Sequence, residues 1–144
     1  MIKLKRSTLI LDFVFGGVWD RLLNTKMEGK EAYALNKLNQ ALIAKRKEVQ
    51  LNHQKLCKHY GVVDEKGELV MNPNSPGQFQ IKHGMEDELE TAMDAWLKEL
   101  ESIDRPLIRL PQKFEISPNE RSALEGLIVD LEVVSSPSDG SPGV

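Results

Sequence analysis

The sequence predicts a helix-dominated α+β fold, with a long antiparallel helix pair, a small β-hairpin or sheet and short packed helices. Apolar residues recur at helical spacing from Gly29 to Tyr60 and again from Met85 to Ile103. Between these segments, short apolar runs flank a turn at Asp64–Gly67. A length of 144 residues is typical of one domain, predicted at residues 1–134, and a disordered tail is predicted at residues 135–144.

The first predicted elements are a short strand and an amphipathic helix. Residues 2–5 alternate apolar side chains with lysines, as in a strand with one buried face. Ser7 is a predicted N-cap, and helical periodicity then predicts a helix over about residues 8–23. Because Gly16 and Gly17 lie in its middle, we expect a kink or a close approach of another backbone there.

The clearest predicted element is the helix from Gly29 to Tyr60, whose apolar residues form a heptad seam. The seam positions are Leu35, Leu38, Leu42, Lys45, Val49, Asn52, Leu56 and His59, so polar residues dilute its second half. Asn52 has two interpretations: it sets helix register or oligomeric state, or the helix faces solvent there, which we favour. Gly61 follows the helix and is predicted to end it in a left-handed conformation.

Three short strands are predicted after the long helix. The first two, at residues 62–63 and 68–71, form a hairpin in which Gly67 takes a positive φ. The Pro- and Gly-containing residues 72–78 predict a loop, and the alternation around Phe79 and Ile81 predicts the third strand.

The remaining predicted elements follow from helix-terminus signals. Acidic residues in the first turn favour a helix over Met85–Ile103, and a strand is predicted at Leu107–Leu110. Ser117 and Glu120 form a predicted capping box around Pro118, which begins a helix that continues to about residue 131.

Charge is distributed unevenly along the chain although the net charge is only −3. Residues 26–60 contain eight Lys or Arg against three acids, a net charge of +5, whereas residues 84–104 contain eight acids against one Lys, a net charge of −7. We interpret the two segments as helices that lie side by side. A nucleic-acid surface on the basic segment is the weaker alternative, because an acidic neighbour repels phosphates.

Composition disfavours several classes of protein. No apolar run approaches the roughly 20 residues of a membrane helix, and no signal-peptide cleavage site follows the basic opening. A single cysteine, Cys57, cannot form an internal disulfide, which fits a reducing cytoplasm. No phosphate-binding Gly-rich loop is present. We therefore expect no membrane partner and no cofactor.

Three residues of metal-binding type lie close together in the long helix. His53 and Cys57 share a helix face, whereas His59 points about 200° away from Cys57. A closed zinc site would need His83 and one more ligand. No feature of the sequence lowers the pKa of the Cys57 thiol. We expect a buried cysteine beside solvated histidines, no metal ligand and no catalytic residue; a zinc- or thiol-dependent enzyme is the remote alternative.

Protein binding is the function class that remains. Phe15 and Trp19 belong to an aromatic-rich segment, and such side chains anchor many interfaces, although they also pack in cores. The diluted second half of the long helix supplies further contacts. The candidate partner-binding residues are Phe15, Trp19, Lys45, Arg46, Lys47 and Asn52.

A long-range layout of motifs resembles a family of small proteins of tailed bacteriophages and prophages. The motifs are Lys3–Lys5, Leu22–Asn24, Ala34–Leu38, Lys58–Gly61, Asp64–Gly67, the acidic helix, Glu115–Pro118 and Ala123–Glu125. The resemblance covers about residues 1–132. It implies a phage origin, a location in the host bacterial cytoplasm, and action by binding.

Two functions are compatible with these observations. The first is a non-enzymatic, phage-encoded factor for host takeover that binds a host complex, such as RNA polymerase, and thereby regulates transcription. The alternative is a virion component or assembly chaperone, which predicts binding to a phage structural protein or self-association. Both predict a monomer or a small homo-oligomer.

Overall fold

The structure is a computed structural model that describes residues 1–10 and 16–129. Its elements are, in chain order, β1 (Ile2–Lys5), α1 (Arg6–Ile10), α2 (Gly16–Leu23), α3 (Gly29–Tyr60), α4 (Glu86–Lys98), β2 (Leu100–Ile103) and α5 (Pro118–Ala123). The predicted helix-dominated α+β class is confirmed. Within the described ranges, no helix is long and apolar enough to cross a bilayer. The predicted tail at residues 135–144 lies outside them.

The described residues group into two compact units, each built from segments that are distant in sequence. Unit 1 contains residues 1–3, 16–41 and 102–129, and unit 2 contains residues 4–10 and 42–101. Helix α3 and both strands contribute residues to each unit. The single domain at residues 1–134 stays a prediction.

The bounds predicted for α3 are confirmed, but its buried face departs from a strict heptad. In the first half, Leu38 and Leu42 are fully buried, as the seam predicts. In the second half, Val49 and Cys57 are buried, whereas Asn52 is exposed. An α-helix has 3.6 rather than 3.5 residues per turn, so a straight helix rotates a heptad seam away from the core. The interpretation that α3 faces solvent at Asn52 therefore agrees with the structure.

Gly61 ends α3 in a different way from the prediction. The glycines with positive φ in the described part of the chain are Gly67, Gly77, Gly84 and Gly126, so a left-handed Gly61 is wrong. Instead, the Gly61 N–H donates to the carbonyl oxygen of Cys57 at 2.7 Å, and Gly61 pairs with Ile81 in antiparallel fashion.

Gly61 is also in close contact with the hairpin. A Cβ atom on this residue would lie 2.5 Å from Leu69 Cδ2, 2.8 Å from the Cys57 carbonyl oxygen and 2.9 Å from Phe79 Cδ2. The close approach of these neighbours, not a left-handed backbone, is the reason that glycine is required.

The predicted hairpin and the third predicted strand are present as backbone pairings. Val63 pairs with Leu69, and Met71 pairs with Phe79, both antiparallel. At the turn, Asp64 Oδ1 accepts hydrogen bonds from two backbone N–H groups, and Gly67 has a φ of 80° as predicted. Backbone hydrogen bonds join the three segments: Val70 N–H donates to the Val62 carbonyl oxygen at 2.9 Å, and Gln80 N–H donates to the Val70 carbonyl oxygen at 2.8 Å.

The helix predicted from Met85 to Ile103 is too long by about one and a half turns at its C-terminal end. Helix α4 ends at Lys98 because Glu99 is extended, with φ −69° and ψ 147°. Residues 100–103 form β2, which pairs with β1. Leu100 and Ile103 continue the helical spacing of the apolar residues in α4. The sequence pattern alone therefore predicts a further helical turn here and does not reveal the strand.

The segment predicted as one helix at residues 8–23 contains α1 and α2, with residues 11–15 outside the described ranges. Ser7 lies within α1 instead of capping it. The expected close approach of another backbone is wrong at Gly17, because a Cβ atom there would meet no described atom within 4 Å. The alternative, a kink in the predicted helix, involves residues 11–15, which lie outside the described ranges.

The predicted capping box at Ser117 is confirmed, but the helix that it begins is short. Helix α5 ends at Ala123, the chain turns through Gly126 at a φ of 91°, and Ile128 pairs in parallel with Ile108. The strand predicted at residues 107–110 is thus reduced to one bridge. In unit 1, Leu124 and Leu127 are fully buried.

Candidate protein-binding surface

Two of the predicted partner-binding residues do not contribute to the described surface. Trp19 is only 3% exposed, and its Nε1–H donates to Asn39 Oδ1 at 3.0 Å within unit 1. The prediction that Trp19 is an exposed anchor is therefore wrong, and the alternative of core packing applies. Phe15 lies outside the described residues.

The four candidates on α3 differ in how they are held. Lys45 is half-buried, with its Nζ 2.9 Å from Glu48 Oε2 and 3.7 Å from Glu101 Oε1. The hydrogen bond to Glu48 raises the pKa of Lys45 above its ordinary value. Arg46 is also half-buried, whereas Lys47 and Asn52 are exposed. Lys45 is therefore held by carboxylates of its own unit, and Lys47 and Asn52 are accessible to a partner.

An exposed row of alternating apolar and cationic side chains runs along the second half of α3. We name it the α3 stripe; it consists of Ile43, Lys47, Leu51 and Lys55. Residues four apart lie on one helix face, so these side chains are neighbours. Leu51 is 60% exposed and Ile43 is 41% exposed. Lys47 and Lys55 form no ion pair with another described residue.

Of the residues in the stripe, Lys47 was predicted from the sequence, whereas Ile43 and Leu51 were not. Both lie off the heptad seam, so they were not predicted to be core residues. Two apolar residues spaced by eight on the solvent face of a charged helix were the available signal.

A groove with a volume of about 560 Å³ lies within unit 2, where residues of α3, of the hairpin region and of α4 come together. We name it the α4 groove. Its apolar lining is Cys57, Phe79, Ile81, Leu89, Met93 and Leu97. It is also lined by three exposed carboxylates, the acidic row, which consists of Glu86, Glu90 and Asp94. None of these three forms an ion pair with another described residue.

The predicted pairing of the basic and acidic segments is therefore partial. Helix α4 does lie beside α3, since the rings of His53 and Trp96 are 5.3 Å apart. However, the ion pair between α3 and the acidic segment uses Lys45 and Glu101, which belongs to β2. The acidic row faces solvent and the α4 groove instead of the lysines of α3.

Arg6 fixes the C-terminal end of α4. Its Nε lies 2.7 Å from Glu101 Oε2, and its Nη1 lies 2.8 Å from Glu99 Oε2. The same guanidinium stacks over the ring of Trp96, 4.8 Å from its centroid. Because only 17–18% of the side-chain area of Arg6 and Glu101 is exposed, this pair is shielded from solvent more than an ordinary surface ion pair.

His53 and Cys57 are close together, and burial disfavours the charged form of each. Cys57 Sγ lies 3.8 Å from His53 Nδ1, as their predicted common helix face requires. Burial raises the pKa of the Cys57 thiol and lowers the pKa of the His53 imidazole. A protonated thiol is a weak nucleophile. Among the described residues, no group of three or more His, Cys, Asp or Glu side chains is arranged to hold a metal ion.

Comparisons with protein-family models, curated proteins and solved structures found no match to this chain. The α3 stripe and the α4 groove are therefore the features from which a function is inferred. Both belong to unit 2, and both combine apolar surface with a single sign of charge.

Proposed function

We propose that the protein is a protein-binding factor whose contact surface is the α3 stripe. The observation that carries this proposal is the exposure of Leu51 and Ile43 between two lysines. Apolar side chains held in water at the centre of a charged face gain free energy when a partner covers them, at about 25 cal/mol per Å². Lysines at the rim accelerate association with a partner of opposite charge.

The partner that fits this surface has an apolar patch flanked by carboxylates. The resemblance to phage proteins supports a host complex, such as RNA polymerase, as that partner and host takeover as the biological role. Two features of unit 2 support binding rather than catalysis: burial raises the pKa of the Cys57 thiol, which disfavours the reactive thiolate, and the exposed lysines lie on one regular helix.

The test is recovery of the partner from infected host lysate with tagged full-length protein, followed by quantitative mass spectrometry. Replacing Lys47 and Lys55 by Glu is expected to reduce the recovered partner by about tenfold or more, because attraction becomes repulsion. Leu51→Ser is expected to reduce it through loss of buried apolar area.

Lys66→Glu is the control for Lys47→Glu alone, which makes the same charge change, since Lys66 is an exposed lysine in the hairpin turn of the same unit. Circular dichroism of each variant verifies that it is folded. The stripe would be excluded as the contact surface if the same amount of partner were recovered with the wild-type protein, with Lys47→Glu/Lys55→Glu and with Lys66→Glu. Recovery of a phage structural protein in place of a host complex would favour the virion or assembly function.

A further inference from the structure

The α3 stripe and the α4 groove carry opposite charges. The described residues that line the groove include the three carboxylates of the acidic row and no Lys or Arg. The stripe contains two ammonium groups and no carboxylate. Each of these surfaces is therefore unbalanced alone, and each has the charge that the other lacks.

The spacing of the charges also matches. Lys47 and Lys55 are eight residues apart on one helix, and Glu86 and Asp94 are eight residues apart on another. At a rise of 1.5 Å per residue, each pair is separated by about 12 Å along its helix axis. Two ammonium groups of a stripe can thus face two carboxylates of an acidic row at the same time.

The apolar parts of the two surfaces are complementary as well. Leu51 lies between the two lysines and is 60% exposed. Leu89, Met93 and Leu97 line the groove beside the acidic row, at the same spacing of four residues. A groove of about 560 Å³ falls within the range of about 300–1,000 Å³ that is usual for ligand pockets, and so has room for the Leu51 side chain.

We propose that the α4 groove is a binding site for the α3 stripe of a second copy of this chain. The Lys47 and Lys55 ammonium groups contact the acidic row, and Leu51 enters the apolar groove between them. Stripe and groove are different surfaces, so the contact is heterologous: successive copies form a ring if the rotation closes and an open chain if it does not. This site goes beyond the function proposed above, because the groove is not part of that contact surface. A partner bound to the stripe excludes the second copy, so the two events compete.

The test is sedimentation velocity of the full-length protein as a function of concentration. Wild type is expected to associate at low salt and less at high salt, because the contact includes solvent-accessible charges. A stripe variant, Lys47→Glu/Lys55→Glu, and a groove variant, Glu90→Lys/Asp94→Lys, are each expected to associate about tenfold or more weakly than wild type. Glu65→Lys/Glu68→Lys is the control for the groove variant, with the same charge change on exposed residues of the hairpin.

The decisive sample is an equimolar mixture of the two variants. In the mixture, the acidic stripe of one variant meets the basic groove of the other, so association is expected to return. The proposal is overturned if the wild-type protein stays monomeric up to about 0.5 mM, because even a weak dimer forms at that concentration. Association that survives in both variants, or a mixture that stays monomeric, overturns it too.

The groove variant separates this inference from the function proposed above. It keeps the wild-type stripe, so it is expected to recover the external partner at least as well as wild type. One outcome would retain the proposed function and refute the groove contact. In that outcome, the stripe variant loses the external partner, the groove variant keeps it, and the wild-type protein does not self-associate.

Discussion

Gly61 is a residue at which a single added methyl group is expected to destabilise the fold through direct contacts. A Cβ atom would meet the Cys57 carbonyl oxygen at 2.8 Å, and that oxygen is fixed by helix α3. We expect Gly61→Ala to lower the free energy of unfolding by about 1–3 kcal/mol, as for other overpacked sites. Urea denaturation measures the change.

Gly17→Ala is the control, because Gly17 is helical and has open space around it. It is expected to raise the free energy of unfolding by up to about 1 kcal/mol through helix propensity. Similar effects of both substitutions would mean that the contacts around Gly61 relax without cost.

The sequence identified Gly61 as the residue that ends α3 but attached the wrong conformation to it. Helix-terminus statistics favour a left-handed glycine, and they contain no information on distant neighbours. Leu69 and Phe79 reach Gly61 only after residues 62–81 have paired. The burial of Trp19 likewise depends on contacts with distant residues, which the sequence does not specify. The exposure of Leu51, in contrast, could be inferred locally from its position off the heptad seam.

At the scale of single elements, the capping box of α5 makes stability dependent on pH. Ser117 N–H donates to Glu120 Oε1 at 2.9 Å, and Glu120 N–H donates to Ser117 Oγ at 3.2 Å. The first of these bonds is the main cause of a lowered pKa at Glu120, and the Arg21 guanidinium contributes further. Since the folded pKa lies below the ordinary value of 4.5, the ionised carboxylate stabilises the fold above that pH.

Glu120→Gln is therefore expected to lower the free energy of unfolding near neutral pH. The difference from wild type is expected to shrink as the pH falls below 4.5 toward the lowered pKa of Glu120, because the wild-type carboxylate then becomes protonated. Urea denaturation at a series of pH values measures both. Glu125→Gln removes one charge from an exposed residue outside the box and controls for charge alone. A wild-type advantage that is constant from acidic to neutral pH would contradict the role of the box.

The elements that could be predicted are those whose signals are local. Helix α3 has both a sustained apolar pattern and residues that favour each end, so both of its bounds were predicted. The capping box needs only four consecutive residues. Strand β2 could not be predicted, because residues 100–103 satisfy helical spacing and become a strand only by pairing with β1, about 100 residues earlier.

At the scale of the whole molecule, unit 2 depends on a short segment from the beginning of the chain. Residues 4–10 supply Leu9, which is fully buried, and Arg6, which holds Glu99 and Glu101. We expect a fragment of residues 11–101 to have lower stability than a fragment of residues 1–101, because it lacks Arg6 and Leu9 but keeps α2, α3 and α4. Far-UV circular dichroism with urea denaturation compares the two. Equal helix content and equal midpoints would mean that α1 does not contribute to unit 2.

The α4 groove could be predicted from the sequence only in part. The acidic row could be read as one face of α4, because its members are four residues apart. Its position beside an apolar groove requires Phe79, Ile81 and Cys57, which come from the hairpin region and from α3. Only the fold brings these three segments together, so the sequence predicted acidic and apolar faces but not the site.

The interleaved segments of unit 2 have a consequence for synthesis on the ribosome. Arg6 emerges early, whereas its ion-pair partner Glu101 is added 95 residues later. At about 5–20 residues per second, the interval is roughly 5–20 s. During this time, Leu4 and Leu9 lack most of the residues that bury them in the finished unit. Leu4 and Leu9 are therefore expected to stay accessible until most of residues 42–101 have been translated, and the speed of translation sets how long.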